Sequence, residues 1–175
     1  MFDTQERTED PATSPTNLNG RSVLVLGLGN VLLTDEGAGV HVVNRLAGQH
    51  AGREGVEFMD GGTLSFTLAG AIVEHDALIV VDTAALGTAP GTIRVFEGPD
   101  MDHFVSTGGK SSVHEVSLAD LLAVTLLEGM LPERRALVGI QPENFDWGDH
   151  PDAAVAAAIP AACDIVMDIV ERWRS

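Results

Sequence analysis

The stretch Val23-Leu-Val-Leu-Gly-Leu-Gly-Asn30-Val-Leu-Leu-Thr-Asp-Glu36-Gly37 decides the fold, because an apolar run passes through a glycine turn into a helix start. The residues from Val23 to Leu26 are all aliphatic. Such a run predicts a strand covered on both faces, as in a parallel sheet. Gly27 and Gly29 then permit a tight turn. The stretch therefore predicts the first half of a strand-turn-helix unit.

A helix is expected after Glu36, with Thr34 or Asp35 as its cap. Its apolar residues recur at helical spacing and are Val40, Val43 and Ala47. In open α/β sheets, ligands bind beyond the carboxyl ends of the strands. Glu36 is therefore a candidate site residue.

This loop has two alternative interpretations. A dinucleotide-binding turn would need a third glycine where Leu32 stands, and adjacent carboxylates would repel a phosphate at the helix start. Alternatively, Asp35 and Glu36 only complement the helix dipole, as acids in a first turn commonly do. The rest of the chain argues for a site.

Strands and helices are expected to alternate along the remaining sequence. Further strands are predicted at 56–59, 77–81, 92–96 and 136–140, and the strand at 92–96 is predicted to be an antiparallel edge strand. Helices are predicted from Thr63 to about Glu74, from 118 to Gly129, and from Pro151 with a kink or split at Pro160. Residues 97–109 are predicted to form a loop. This pattern predicts a single-domain three-layer α/β/α fold with a twisted, mostly parallel five-stranded sheet.

Composition narrows the function. The 175 residues carry 10 basic and 26 acidic side chains, a formal charge of -16, which argues against nucleic acid and anionic membranes as partners.

Residues 1–20 are polar and predict a disordered extension rather than a signal peptide. The apolar runs look too short to cross a bilayer. The single Cys163 predicts a buried thiol. We expect a cytoplasmic monomer.

Glu36, Asp82 and His114 all follow predicted strands or precede predicted helices, so they could meet at one edge of the sheet. Two carboxylates and an imidazole suit a divalent ion such as nickel or zinc. Taken singly, Asp82 is as easily a solvated strand end, and His114 more often caps or packs. The shared site is therefore a hypothesis.

The chain resembles the hydrogenase maturation proteases, endopeptidases that process the large subunit of nickel-iron hydrogenases. The resemblance covers about Ser22 to Trp173. It depends on five ordered motifs, which are Gly27-Leu-Gly-Asn-Val-Leu-Leu-Thr-Asp-Glu-Gly-Ala-Gly-Val40, Met59-Asp-Gly-Gly-Thr63, Val80-Val-Asp82, Ser111-Ser-Val-His114 and Val138-Gly-Ile-Gln-Pro-Glu143. The first is the most specific. The resemblance implies a protease domain over 21–175 after the extension of 1–20.

The resemblance also implies residue roles. Glu36, Asp82 and His114 match the family's metal-contacting residues, and Asp60, Gly61, Gly62 and Thr63 match a turn linked to substrate selection. The family is thought to recognise nickel already inserted in the large-subunit precursor and then to remove its C-terminal extension. Nickel would thus be carried by the substrate, although zinc or another divalent ion could occupy the site in vitro.

Two questions stay open at this level. Hydrolysis could be assisted by the metal, or Asp82 or Glu36 could act as general base on water. The same three residues would also serve a metal-binding chaperone or checkpoint protein that docks on the precursor without cutting it.

Overall fold

The computed structural model describes residues 22–63, 66–107 and 118–175. The predicted extension of 1–20 lies outside these residues, and so does His114. The strands are β1 Val23–Leu28, β2 Val56–Gly62, β3 Ala77–Thr83, β4 Ile93–Glu97 and β5 Arg134–Ile140; the helices are α1 Ala38–Gln49, α2 Leu68–Val73, α3 Pro99–Ser106, α4 Leu118–Leu127 and α5 Ala153–Arg174; a 3-10 turn spans Thr34–Gly37.

The five strands form one sheet in the order β2-β1-β3-β5-β4. The pairs β1 with β2, β1 with β3, and β3 with β5 are parallel, and β4 pairs antiparallel with β5 at the edge. The predicted mostly parallel sheet with an antiparallel edge strand is confirmed. Because four strands run in one direction, their carboxyl ends lie along a single edge.

Helices cover both faces of this sheet. α1 and α5 pack on one face, where they share an apolar core with Val23 and Val25. α2, α3 and α4 pack on the other face around Leu24 and Leu26. Alternate side chains of a strand point to opposite faces, so burial on both sides explains why β1 is apolar at every position. The three-layer prediction is confirmed.

The predicted end of β2 and the predicted start of the helix after it are wrong. β2 does not stop at Met59 but continues to Gly62, because β1 keeps pairing with it through a register shift between Gly27 and Leu28. Thr63 does not start the next helix, since α2 begins only at Leu68.

The predicted loop of 97–109 contains helix α3. Gly98 has φ of 51° and Pro99 takes the first helical turn, a position that its fixed φ favours. Met101 anchors the helix because its side chain is fully buried against the sheet. Phe104 and Val105 follow Met101 at helical spacing and pack in the same core, so the prediction of a loop missed a short amphipathic pattern.

Helix α5 runs unbroken through Pro160 rather than splitting there. Pro160 and Ala156 are exposed, so water can satisfy the carbonyl that proline leaves without a donor. By length and composition, α5 is also apolar enough to cross a bilayer, contrary to our expectation of short apolar runs. A core helix passes the same test, and here its apolar face packs on the sheet.

Gly39 lets α1 lie against the carboxyl ends of two strands. A Cβ atom there would stand 2.2 Å from the Val81 carbonyl oxygen and 2.5 Å from that of Leu28. We expect Gly39→Ala to lower the free energy of unfolding by about 3 kcal/mol, since backbone cannot yield to the added methyl. Urea unfolding measures this change.

Gly48→Ala is the matched control on the same helix, because nothing lies within 4 Å of its added Cβ. This control should gain about 0.5 to 1 kcal/mol through helix propensity. Equal stabilities for the two variants would contradict the tight packing at Gly39.

Candidate active site

Glu36 and Asp82 lie together at the carboxyl edge of the sheet. Glu36 sits in the 3-10 turn that follows β1, and Asp82 is the penultimate residue of β3. The turn contacts β3, and the charge of Glu36 acts on the Asp82 carboxyl. The sequence hypothesis placed both residues at this edge, and the structure brings them together there.

Gly29 sets the position of Glu36. Its φ of 131° is in the range that glycine favours, and a Cβ there would stand 1.7 Å from the Glu36 carbonyl oxygen. The turn therefore folds directly over the end of β1. This close backbone contact buries Glu36, which is 4% exposed.

Asp82 is poised to exchange a proton near neutral pH. Its pKa is raised from 3.8 to about 7, first because the protein removes water from the carboxyl and further because Glu36 is nearby. The Thr83 backbone N–H donates to Asp82 Oδ1 at 2.7 Å and opposes the rise. A carboxyl with such a pKa suits general acid-base chemistry.

Asp35 is not a helix cap, and neither is Thr34. No side chain caps α1, which begins after Gly37. The fully buried Asp35 carboxylate instead accepts three hydrogen bonds from backbone N–H groups. The donors are Glu143 at 2.7 Å, Asp152 at 2.8 Å and Asn144 at 3.3 Å. Thr34 Oγ1 donates to Asn144 Oδ1 at 3.0 Å. These two side chains bind the β5–α5 connection to the turn that carries Glu36.

The predicted substrate turn lies next to this site. Asp60 is exposed, and its Oδ1 accepts the Gly62 N–H at 2.9 Å. The Gly62 carbonyl in turn accepts the Gly29 N–H at 2.9 Å. Gly29 thus connects the Asp60–Thr63 segment to Glu36 through the backbone, but Asp60, Gly61 and Gly62 belong to β2 rather than to a separate turn.

His41, which the sequence analysis passed over, lies at the margin of the same site. Its Nε2 is buried without a hydrogen-bond partner among the described residues and comes within 3.4 Å of a Cβ built on Gly37. Burial lowers the pKa of His41, and nearby His150 lowers it further while Asp60 raises it. The lowered pKa favours the neutral form of the imidazole. A histidine five residues after Glu36, on the first turn of α1, was the available signal.

The donor set for a metal is incomplete in the described part of the chain. Across residues 22–63, 66–107 and 118–175, no three His, Cys, Asp or Glu side chains come close enough to hold an ion. Glu36 and Asp82 offer two carboxylates, and His114 is outside these ranges. Cys163 is no substitute, because it is buried and burial raises the pKa of its thiol. The predicted burial of Cys163 is confirmed.

Comparison with known proteins identifies the family. The family model described as HycI, hydrogenase maturation protease, matches residues 40–169. HupD of Rhizobium leguminosarum bv. viciae, a hydrogenase expression/formation protein, is 37% identical over 153 residues, covering 86% of this chain and 75% of the relative. The hydrogenase 2 maturation protease of Escherichia coli K12 is 36% identical, covering 83% of this chain and 88% of that protein.

Solved structures agree with these sequence matches. The hydrogenase maturating endopeptidase HybD from Escherichia coli superposes with a TM-score of 0.79 at 34% identity, covering 86% of this chain and 93% of that one. The fold, the ordered motifs and the paired carboxylates lead to one conclusion. The chain belongs to the hydrogenase maturation protease family and is a peptidase.

Proposed function

We propose that this peptidase removes the C-terminal extension of a nickel-loaded nickel-iron hydrogenase large-subunit precursor. The observation that carries the proposal is the pair of Glu36 and Asp82, of which Asp82 has a pKa of about 7. The names of the relatives, which are hydrogenase maturation proteins, supply the substrate class.

In the proposed reaction, the ionised Asp82 carboxylate takes a proton from water as the water oxygen attacks the scissile carbonyl carbon. The carbon–nitrogen bond then breaks, and protonated Asp82 returns the proton to the departing amine. A pKa near neutrality serves both directions of transfer. The neighbouring Glu36 raises the pKa of Asp82, which strengthens Asp82 as a base.

Nickel enters this proposal as part of the substrate. Oxygen donors from Glu36 and Asp82, with an imidazole from His114, suit a borderline divalent ion, and zinc or another divalent ion could take its place in vitro. An ion there would relieve the repulsion between the two carboxylates and polarise the scissile carbonyl. The Asp60–Thr63 segment is proposed to contact the precursor beside it.

The proposed enzyme is a cytoplasmic monomer without nucleic-acid or membrane partners. A formal charge of -16 favours solubility and disfavours binding to anionic polymers and bilayers. Sedimentation of the purified chain tests the monomer, and cell fractionation tests the compartment.

The direct test is to incubate the protein with nickel-loaded precursor and to weigh the large subunit by mass spectrometry. We expect the large subunit to lose its C-terminal extension, while nickel-free precursor stays intact. His114→Ala should slow this processing about 100-fold or more, since loss of a group at the reacting centre typically costs that much.

His103→Ala, an exposed histidine of α3, is the matched control and should process normally. Circular dichroism should show both variants folded. An uncut precursor that still binds the wild-type protein would instead identify a chaperone or checkpoint protein. Normal processing by His114→Ala would remove His114 from the reaction.

A further inference from the structure

An exposed apolar patch, formed by Val31, Leu32, Phe145 and Trp147, borders the candidate active site. Val31 is 39% exposed, Leu32 57%, Phe145 36% and Trp147 83%. Exposed aromatic and aliphatic side chains that cluster beside a site are typical of interaction surfaces. Trp147 is the largest of them, and tryptophan is strongly enriched among residues that dominate binding energy.

The patch is held in place by backbone contacts. Leu33 and Trp147 form an isolated antiparallel bridge, and the Gly148 N–H donates to the Leu32 carbonyl at 3.0 Å. The first of the two paired segments continues directly into the turn that carries Glu36. The patch is therefore a fixed part of the site's surroundings.

Charge around the patch is negative. The two segments that form it, 30–36 and 141–152, contain no lysine or arginine, and their acids are Asp35, Glu36, Glu143, Asp146, Asp149 and Asp152. Of these, Glu143, Asp146 and Asp149 are exposed. A ligand that covers the patch must therefore combine apolar side chains with positive charge.

We propose that this patch binds the segment of the large-subunit precursor that carries the bond to be cut, with an apolar side chain against Trp147 and a basic side chain beside Asp146. This inference builds on the proposed function and names a specificity-determining surface for it. Continuity with Glu36 requires the bound segment to run toward the catalytic carboxylates. Trp147 then contributes to binding rather than to the chemical step.

Steady-state processing of nickel-loaded precursor tests the role of Trp147. We expect Trp147→Ala to raise KM about 30-fold and to change kcat less than 3-fold, because the residue holds the substrate and touches no reacting atom. Trp147→Phe should restore most of the affinity. Asp146→Lys should raise KM more at low than at high salt, since salt screens exposed charges.

Leu127→Ala is the matched control. Leu127 is 87% exposed on α4, which packs on the face of the sheet that faces away from α1 and α5. Its truncation should therefore leave KM unchanged. The bridge near Trp147 is made by backbone and survives either substitution. A KM for Trp147→Ala equal to that of wild type would overturn the proposal.

Tryptophan fluorescence provides a readout that does not require cleavage. The chain has two tryptophans, and Trp173 is 7% exposed, so Trp147 should report on binding. Nickel-loaded precursor should shift wild-type emission to shorter wavelength and leave Trp147→Phe unchanged. Mature large subunit, which lacks the extension, should cause no shift.

An equal emission shift with the mature subunit would overturn the proposal. An emission shift that grows with enzyme concentration alone would also overturn it, because a second copy of the chain would then cover the patch. The two proposals fail separately. If the wild-type protein leaves the precursor uncut, the proposed protease function is rejected. The fluorescence titration would still test whether the patch binds the precursor. Cleavage with no effect of Trp147→Ala would reject only the patch.

Discussion

Asp82→Asn should abolish processing and yet make the protein more stable at pH 8. The variant loses the carboxyl that moves the proton, so we expect processing to slow at least 100-fold. Its amide oxygen can still accept the Thr83 N–H, so the local backbone should hold. Activity and stability should therefore change in opposite directions.

The stability gain follows from the pKa of Asp82. The pKa is about 7 in the folded protein against 3.8 normally, so unfolding between these values releases a proton and wild-type stability falls as pH rises through this window. The full loss above pH 7 is about 4 kcal/mol at most, and about 2 kcal/mol if solvent partly screens the carboxyl. Asp82→Asn lacks this pH dependence.

Urea unfolding at pH 4.5 and pH 8 measures the effect. The free energy of unfolding of Asp82→Asn, relative to that of wild type, should be a few kcal/mol higher at pH 8 than at pH 4.5. Asp168→Asn, on the exposed side of α5, should match wild type at both values. Parallel pH profiles for wild type and Asp82→Asn would contradict the raised pKa.

The second large effect is expected at Asp35. Asp35→Asn turns one of its two acceptor oxygens into a donor that faces backbone N–H groups. Each buried donor left without an acceptor costs about 1 to 3 kcal/mol, so we expect a loss of about 3 kcal/mol in the free energy of unfolding. The β5–α5 connection should also loosen, and processing should slow.

Thermal unfolding and precursor processing check this prediction together. Asp164→Asn, an exposed carboxylate on α5, serves as the control and should leave both unchanged. An Asp35→Asn protein as stable as wild type would mean that the connection to Asp152 is held by other contacts.

Periodicity was enough to predict the sheet. β1, the first five residues of β3 and the last five residues of β5 are continuous apolar runs, and burial on both faces is what produces such runs. Glu36 and Asp82 could be placed because parallel strands bring their carboxyl ends to one edge. The roles predicted for His114 and for residues 1–20 stay predictions.

Tertiary contacts account for what the sequence did not reveal. An acid at a helix start favours a capping role on local grounds, yet Asp35 bonds to residues more than 100 positions away. His41 on α1 acquires its lowered pKa from burial and from His150, which lies in the loop between β5 and α5. Trp147 lies beside the site because it pairs with Leu33 and because Gly148 bonds to Leu32. Such long-range contacts produce no periodic pattern of residues in the sequence.

The bonds between Asp35 and the β5–α5 connection should also affect how tightly a substrate binds to this connection. Because three backbone N–H groups already converge on one carboxylate, this loop loses little conformational entropy when a substrate arrives. Preorganised surfaces convert more of their contact energy into affinity than surfaces that must first become ordered. Recognition at this side of the site should therefore resemble docking onto a rigid template, with any adjustment left to the incoming chain.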